Sequence, residues 1–186
     1  ETRHIDVPEH LWKTSVSVKG AVRRNLIAER KTGKPTCGLY FHVDTVPAAP
    51  GWRRDPLRLT QEGSRLYGLG TADMKGTIAA VLMALRAAAR NDVELAYNPM
   101  LLFCTDEECG LYPGIRYLAE QGHLRGHILN FNGSAAPRIW AGCFGVFNLL
   151  VRIRGEGVHA GEGNRSSAGT NAIERALPFL AGLQEL

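Results

Sequence analysis

The sequence predicts an α/β fold, and three observations carry that prediction. Between residues 37 and 131, apolar segments of strand length alternate with amphipathic stretches in the order strand, helix, strand, helix, strand. That order is the one expected of parallel crossovers in an open sheet. Twenty-one glycines, 45% hydrophobic and 22% charged residues fit a loop-rich globular protein, and 186 residues suffice for one domain, or one domain plus part of another. Finally, imidazole and carboxylate side chains gather just after the apolar segments, at strand ends, where α/β proteins collect their sites.

Residues 1–36 are mixed. Residues 11–18 read as an edge strand or an irregular approach, residues 22–29 hold a short apolar segment with Asn25 inside it, and the basic stretch 30–35 reads as a hairpin turn. Cys37-Gly38-Leu39-Tyr40-Phe41 is a short apolar strand that ends in His42-Val43-Asp44-Thr45-Val46-Pro47. A long loop rich in proline and glycine follows to residue 70, with a hairpin-like pair at 57–59 and 65–67; a loop of that length in a compact domain usually has a function.

The clearest helix starts after Met74-Lys75-Gly76, where Ile78, Val81, Leu82, Leu85 and Ala89 recur at helical spacing. Arg86 and Arg90 suit the negative end of its dipole, and Asn91-Asp92 terminate it. Residues 100–104 form the next strand and residues 112–120 the next helix, stopped by Gly122; residues 127–131 form a further strand. After Gly142 the character changes: residues 144–153 read as a longer strand, residues 154–169 as a loop carrying His159, and residues 171–183 as an amphipathic helix interrupted by Pro178. Such a strand, loop and helix cannot close a core alone. We therefore divide the chain into residues 1–143, part of one domain, and residues 144–186, the beginning of a second whose remainder is absent. The first residue, Glu1, is expected to follow a start that has been removed.

Composition excludes several classes. The net charge of +4 is modest, arginine pairs are scattered, and no nucleic-acid motif is present, so nucleic acid is not expected as a partner. No apolar run approaches the length of a membrane span, and the amino terminus does not resemble a signal peptide. The four cysteines lack CxxC spacing, which predicts free thiols in a reducing, cytoplasmic setting.

Leu101-Leu102-Phe103-Cys104-Thr105-Asp106-Glu107-Glu108-Cys109-Gly110 is the most informative stretch: a strand-length apolar run opens into three consecutive carboxylates. Those charges repel one another unless a cation or hydrogen bonds hold them; read alone, they also fit a solvated acidic turn. Crossovers would bring them to His42, Asp44 and Asp73, and together these make a credible site for zinc or a similar divalent ion. Asp44, two residues beyond His42, would face the same side and take the other imidazole proton. Asp73 could bridge two metals, while the adjacent glutamates divide the labour, one binding metal and the other facing substrate as a base. Gly68-Leu69-Gly70 is an incomplete phosphate loop, and Asp73 beside it would repel phosphate.

Four ordered motifs give a resemblance. His42-Val43-Asp44-Thr45-Val46-Pro47 resembles the HxDxVP motif of the M20 family of zinc aminoacylases and peptidases, which includes acetylornithine deacetylase, succinyl-diaminopimelate desuccinylase and the carboxypeptidase G type. Residues 68–76 resemble its GxGxxDMKG segment, residues 105–110, which read TDEECG, its TxDEExG segment, and residues 157–161, which read GVHAG, its GxxHAG loop, the last two each one residue shorter than the pattern. The resemblance implies a zinc-exopeptidase-like three-layer αβα catalytic domain, here incomplete, followed by the start of an inserted α+β lid and dimerisation domain. It implies two zinc ions, with Co2+ or Mn2+ as substitutes: His42 on one, Glu108 on the other, Asp73 between them and Glu107 as general base. His159 resembles the lid histidine that reaches a partner subunit's site and steadies the oxyanion. Asn171 matches an asparagine near the substrate carboxylate, with a helix N-cap as its alternative.

The pattern also breaks. The family carries a third carboxylate after the strand at 127–131, and Asn132 stands at that position, with Asn130 as the fallback. The family's last zinc ligand, a histidine, lies beyond this chain. The implied activity is hydrolysis of an amide bond in a small N-acyl amino acid or short peptide, by a homodimer or with a second chain supplying the missing half. The alternative is an impaired or inactive family member, or an isolated fragment, acting as a binding or structural subunit.

Overall fold

The computed structural model describes residues 1–14, 17, 19–132, 139, 145, 149–156 and 171–185. The chain divides into two compact units, Glu1–Ile139 and Trp140–Leu186.

The first unit is built on a five-stranded sheet. Its strands are β1 (Thr2–Asp6), β2 (Arg24–Glu29), β3 (Thr36–His42), β6 (Asn98–Cys104) and β7 (His127–Asn130), in the spatial order β1-β2-β6-β3-β7. A separate hairpin, β4 (Thr60–Glu62) with β5 (Arg65–Tyr67), stands in the long loop. The helices of this unit are α1 (Glu9–Trp12), α2 (Gly76–Arg90) and α3 (Pro113–Glu120).

Strands β3 and β6 run parallel and in full register, Thr36 opposite Asn98 through to His42 opposite Cys104. Because successive side chains point to opposite faces, each strand feeds two cores. Leu39 and Phe41 pack with Met74 and with Ile78, Val81 and Leu85 of α2. Tyr40, Met100, Leu102 and Cys104 pack with Leu118 and Ile115 of α3 on the other face. Burial on both faces explains why β3 and β6 read as near-continuous apolar runs. The layers are therefore helix, sheet, helix, and each fully buried large side chain contributes on the order of 1.5–3 kcal/mol.

Helix α3 begins with Pro113, whose fixed φ suits the first helical position. Gly114 follows because a side chain there would collide with the Thr105 carbonyl and the Asn25 amide. That close approach pins α3 against the exit of β6.

Several expectations require correction. The sheet is mixed: β1–β2 and β2–β6 are antiparallel, and only β6–β3 and β3–β7 are parallel. Residues 30–35 do not close a hairpin, because β6 lies between β2 and β3. The edge strand is Thr2–Asp6, and the segment at 11–18 opens instead with the single helical turn of α1, which buries Trp12. The first arm of the loop hairpin lies at 60–62, three residues beyond the Leu57–Leu59 pattern, so Leu57 and Leu59 stay exposed.

In the second unit α4 (Ala172–Gln184) continues through Pro178, which leaves the Glu174 carbonyl without its intrahelical donor. Of the strand expected at 144–153, the described residues 145 and 149–153 are in no strand. Among the described residues no helix is long and apolar enough to cross a membrane.

Leu118 is completely buried at the centre of the α3-side core. Leu118→Ala should lower the stability of the chain by about 2–5 kcal/mol in urea unfolding. The exposed Leu111 serves as the control, and Leu111→Ala should shift stability by no more than about 0.5 kcal/mol.

Candidate metal centre

The register of β3 with β6 sets the site. His42 is the last residue of β3, and Val43 N–H donates to the Cys104 carbonyl at 3.0 Å, so the loop after β3 and the acidic turn after β6 leave the sheet side by side. Crossing to β7 on the far side of β3 brings the following segment, Phe131-Asn132, to the same edge.

His42 is fully buried, and its ligand atoms converge with those of Glu107 and Glu108: all lie within 4.8 Å of one another. This is the one such three-residue cluster among the described residues. Asp73 approaches from the turn that precedes α2, with its Oδ1 2.9 Å from His42 Nε2. The other ring nitrogen, Nδ1, lies 3.3 Å from the Asp44 carbonyl oxygen and 3.7 Å from Asp44 Oδ1. The Asp44 carboxylate spans the two loops, its Oδ2 accepting from Glu108 N–H at 3.0 Å. Met74, buried beneath Asp73, accepts the backbone N–H of His42 on its sulfur at 3.2 Å.

The donor set fits a cation. A neutral imidazole has one N–H, yet acceptors face both nitrogens of His42. If Nδ1–H donates to the Asp44 carbonyl, Nε2 offers a lone pair into a space that Asp73 and the two glutamates also face. Asp44 Oδ1 is buried without a hydrogen-bond partner, a further mark of negative charge uncompensated by protein groups.

Glu107 is half-buried, and burial holds its carboxyl above the usual glutamate range. His42 acts in the opposite direction, while the charges of Glu108, Asp44 and Asp73 add to the upward shift. Its Oε1 accepts from Asn132 Nδ2 at 2.8 Å. The Asn132 backbone N–H in turn donates to Asn130 Oδ1 at 2.8 Å, so the two asparagines share one turn: Asn132 reaches the site and Asn130 shapes the approach.

Among the residues singled out from sequence, His42, Asp44, Asp73, Glu107, Glu108 and Asn132 thus gather at one edge of the sheet. His159 lies outside the described residues. Asn171 belongs to the second unit, where its side chain accepts from Ile173 N–H at 2.9 Å and caps α4. Sequence reasoning gave no role to Arg23 or Asn25, and it counted Asp106 among the carboxylates of the candidate site, whereas the cluster holds Glu107 and Glu108 and Asp106 pairs with Arg23. Arg23 Nε stands 2.9 and 2.7 Å from the two Asp106 carboxylate oxygens, and Asn25 is fully buried against the same turn. The one available signal was the polar Asn25 inside an apolar strand.

Residues 38–174 match a family model described as peptidase family M20/M25/M40. Acetylornithine deacetylase of Klebsiella pneumoniae (strain 342) is 37% identical over 151 residues, covering 81% of this chain and 38% of that protein. Acetylornithine deacetylase of Salmonella arizonae is 36% identical with the same shares, so the chain spans 38% of the length of these relatives. Human carnosine dipeptidase 1 superposes with a TM-score of 0.56 at 23% identity, over 71% of this chain and 29% of that one, a likeness of fold alone. An M20 family metallo-carboxypeptidase from Sulfolobus solfataricus gives a TM-score of 0.53 at 29% identity, over 60% of this chain and 26% of its own.

The raised Glu107 carboxyl has a signed consequence for stability. Below the ordinary value of 4.5 the group is protonated in folded and unfolded chains alike and costs nothing. As pH rises, the unfolded chain ionises first, so the folded state loses stability until pH passes the raised folded value. In chelator, Glu107→Gln should therefore raise the urea midpoint at about pH 7, and the gain should vanish at about pH 4. An equal gain at both values would mean that the effect is not electrostatic.

Proposed function

The chain belongs to peptidase family M20/M25/M40, and from that premise we propose that it carries the amino-terminal share of a metal-dependent amide-hydrolysing centre. As it stands it binds a single divalent cation and is impaired in catalysis. The convergence of His42, Glu107 and Glu108 within 4.8 Å carries this reading.

His42 and Glu108 would hold the ion, zinc first and Co2+ or Mn2+ as substitutes, with Asp44 fixing the imidazole through its carbonyl and the Glu108 backbone through its carboxylate. Bound there, the ion would polarise an amide carbonyl and acidify a water. Impairment follows from Asn132. Where a family carboxylate is expected, a neutral amide contributes no charge, and its N–H group is committed to Glu107. An amide that donates to Glu107 offsets that carboxylate's charge through one neutral hydrogen bond, a fraction of what a second cation would supply.

A second reading is favoured by Asp73. Its Oδ1 lies 2.9 Å from His42 Nε2, and the two oxygens of one carboxylate could each serve a separate ion. In a complete protein this would be a dinuclear centre, with Glu107 as the general base that takes a proton from water and returns it to the leaving amine. The substrate would be a small N-acyl amino acid or short peptide. His159 would steady the oxyanion from the lid, Asn171 would approach the substrate carboxylate, and a homodimer or a second chain would complete the site. Under this reading the protein works in the cytoplasm.

Elemental analysis after dialysis against buffered trace zinc, with an assay on N-acetyl amino acids, separates the two readings. We expect about one zinc per chain and no turnover; about two with hydrolysis would establish the dinuclear reading. Asn132→Asp has an expected effect of opposite sign in the two metal states. Facing Glu107, the new carboxylate should destabilise the metal-free chain, yet it should tighten zinc binding by about tenfold or more. Unchanged zinc affinity would remove position 132 from the metal shell.

A further inference from the structure

Glu107 and Glu108 belong to a turn of three successive carboxylates, and the first of these, Asp106, is outside the candidate cation cluster. Asp106 adopts a left-handed backbone conformation, with φ at 59°, and its side chain is largely buried. Three adjacent negative charges, two aimed at one imidazole and the third enclosed, would push such a turn open without a countercharge.

Arg23 supplies that countercharge from β2's approach, 83 residues away in sequence. Its Nε meets both Asp106 oxygens at 2.9 and 2.7 Å. The guanidinium carbon lies 4.8 Å from the centroid of the Trp12 ring, over its face. Trp12 is itself fixed: its Nε1–H donates to the Val7 carbonyl at 3.0 Å, and Val7 N–H donates to the Arg23 carbonyl at 2.8 Å. Two residues on, Asn25 grips the same turn at its two ends. Its Oδ1 accepts from Thr105 N–H at 3.3 Å, and its Nδ2 donates to the Gly114 carbonyl at 2.9 Å. Trp12, Arg23 and Asn25 all precede residue 38, where the family match begins.

We propose that Arg23 is a positioning residue for the metal centre: backed by Trp12, it neutralises Asp106 and so holds Glu107 and Glu108 facing His42, ready for a divalent cation. This rests on the reading of the Glu107–Glu108 turn as a cation-binding element. Cation affinity thereby depends on the segment that leads into β2, which touches Asp106 and none of the candidate ligands. Lysine at position 23 would keep the charge but lose the planar group that stacks on Trp12 and meets both oxygens, so it should rescue only in part.

The test uses the full chain and two measurements on each variant: zinc affinity by calorimetry, and amide hydrogen exchange of the peptide covering residues 105–111. Arg23→Gln should weaken zinc binding at least tenfold and speed exchange in that peptide, with exchange in β3 and β6 unchanged. Arg23→Lys should fall between, and Asp106→Asn should add little further loss on top of Arg23→Gln, because the two act as a pair. Zinc affinity within twofold of the parent, in an Arg23→Gln chain that folds, would overturn the proposal. Should the parent bind no zinc, the cation reading fails on its own. Faster exchange confined to residues 105–111 would then still establish Arg23 as the clamp of the turn, and unchanged exchange would overturn that too.

Discussion

The parallel pairing of β3 with β6 is the constraint on which the rest of the first unit depends. Seven residues of each strand run in register, so His42 and Cys104 finish level. A slip of one residue would turn Phe41, Leu102 and their neighbours to the wrong face. It would also move His42 away from the glutamates that follow Thr105. Core packing and site geometry are thus fixed by one register, since the side chains that alternate between two helices also decide which residue is last in the strand.

What that register delivers is an excess of negative charge around a buried imidazole. Asp44, Asp73, Glu107 and Glu108 surround His42, and protein groups compensate only part of their charge. Folded chains seldom retain such clusters unless a cation, a proton or a network of donors offsets the repulsion. Here the donors are few and placed at specific points: Glu108 N–H on Asp44, Asn132 on Glu107 and Arg23 on Asp106. Each offsets part of the charge of one carboxylate, and none of the three donates to Asp73, whose Oδ1 faces His42 Nε2.

Asn132 and Arg23 illustrate two ways of relieving the same strain. Asn132 brings a neutral N–H to a carboxylate inside the centre, which stabilises Glu107 without adding a metal ligand of full charge. Arg23 brings a full positive charge to a carboxylate outside the centre and takes up neither Glu107 nor Glu108. Under the proposed reading, the first would tune what the centre can hold and the second would keep it assembled.

Much of this was legible in sequence. Apolar runs at 37–41 and 100–104, the periodicity of Ile78, Val81 and Leu85, and the stops at Asn91 and Gly122 marked α2, α3 and the parallel strands, because local propensity and burial on two faces leave strong patterns. The acids after Cys104 and the imidazole after Phe41 marked the site, because strand ends are where crossovers converge. Less legible were β1, whose alternation is masked by charge in Thr2-Arg3-His4-Ile5-Asp6, and the turn at 30–35, whose flanking strands are separated by one that comes some 60 residues later. The sequence by itself thus determined the strands and helices from residue 36 to residue 130 and which residues carry charge to the strand ends, since both depend on neighbours a few positions away. Only the tertiary structure decided that Asn132 donates to Glu107, that Arg23 clamps Asp106 from the segment leading into β2 and that Asp44 serves Glu108 as well as His42. Those pairings join segments tens of residues apart, and no local pattern encodes which of several polar side chains will meet when the sheet closes.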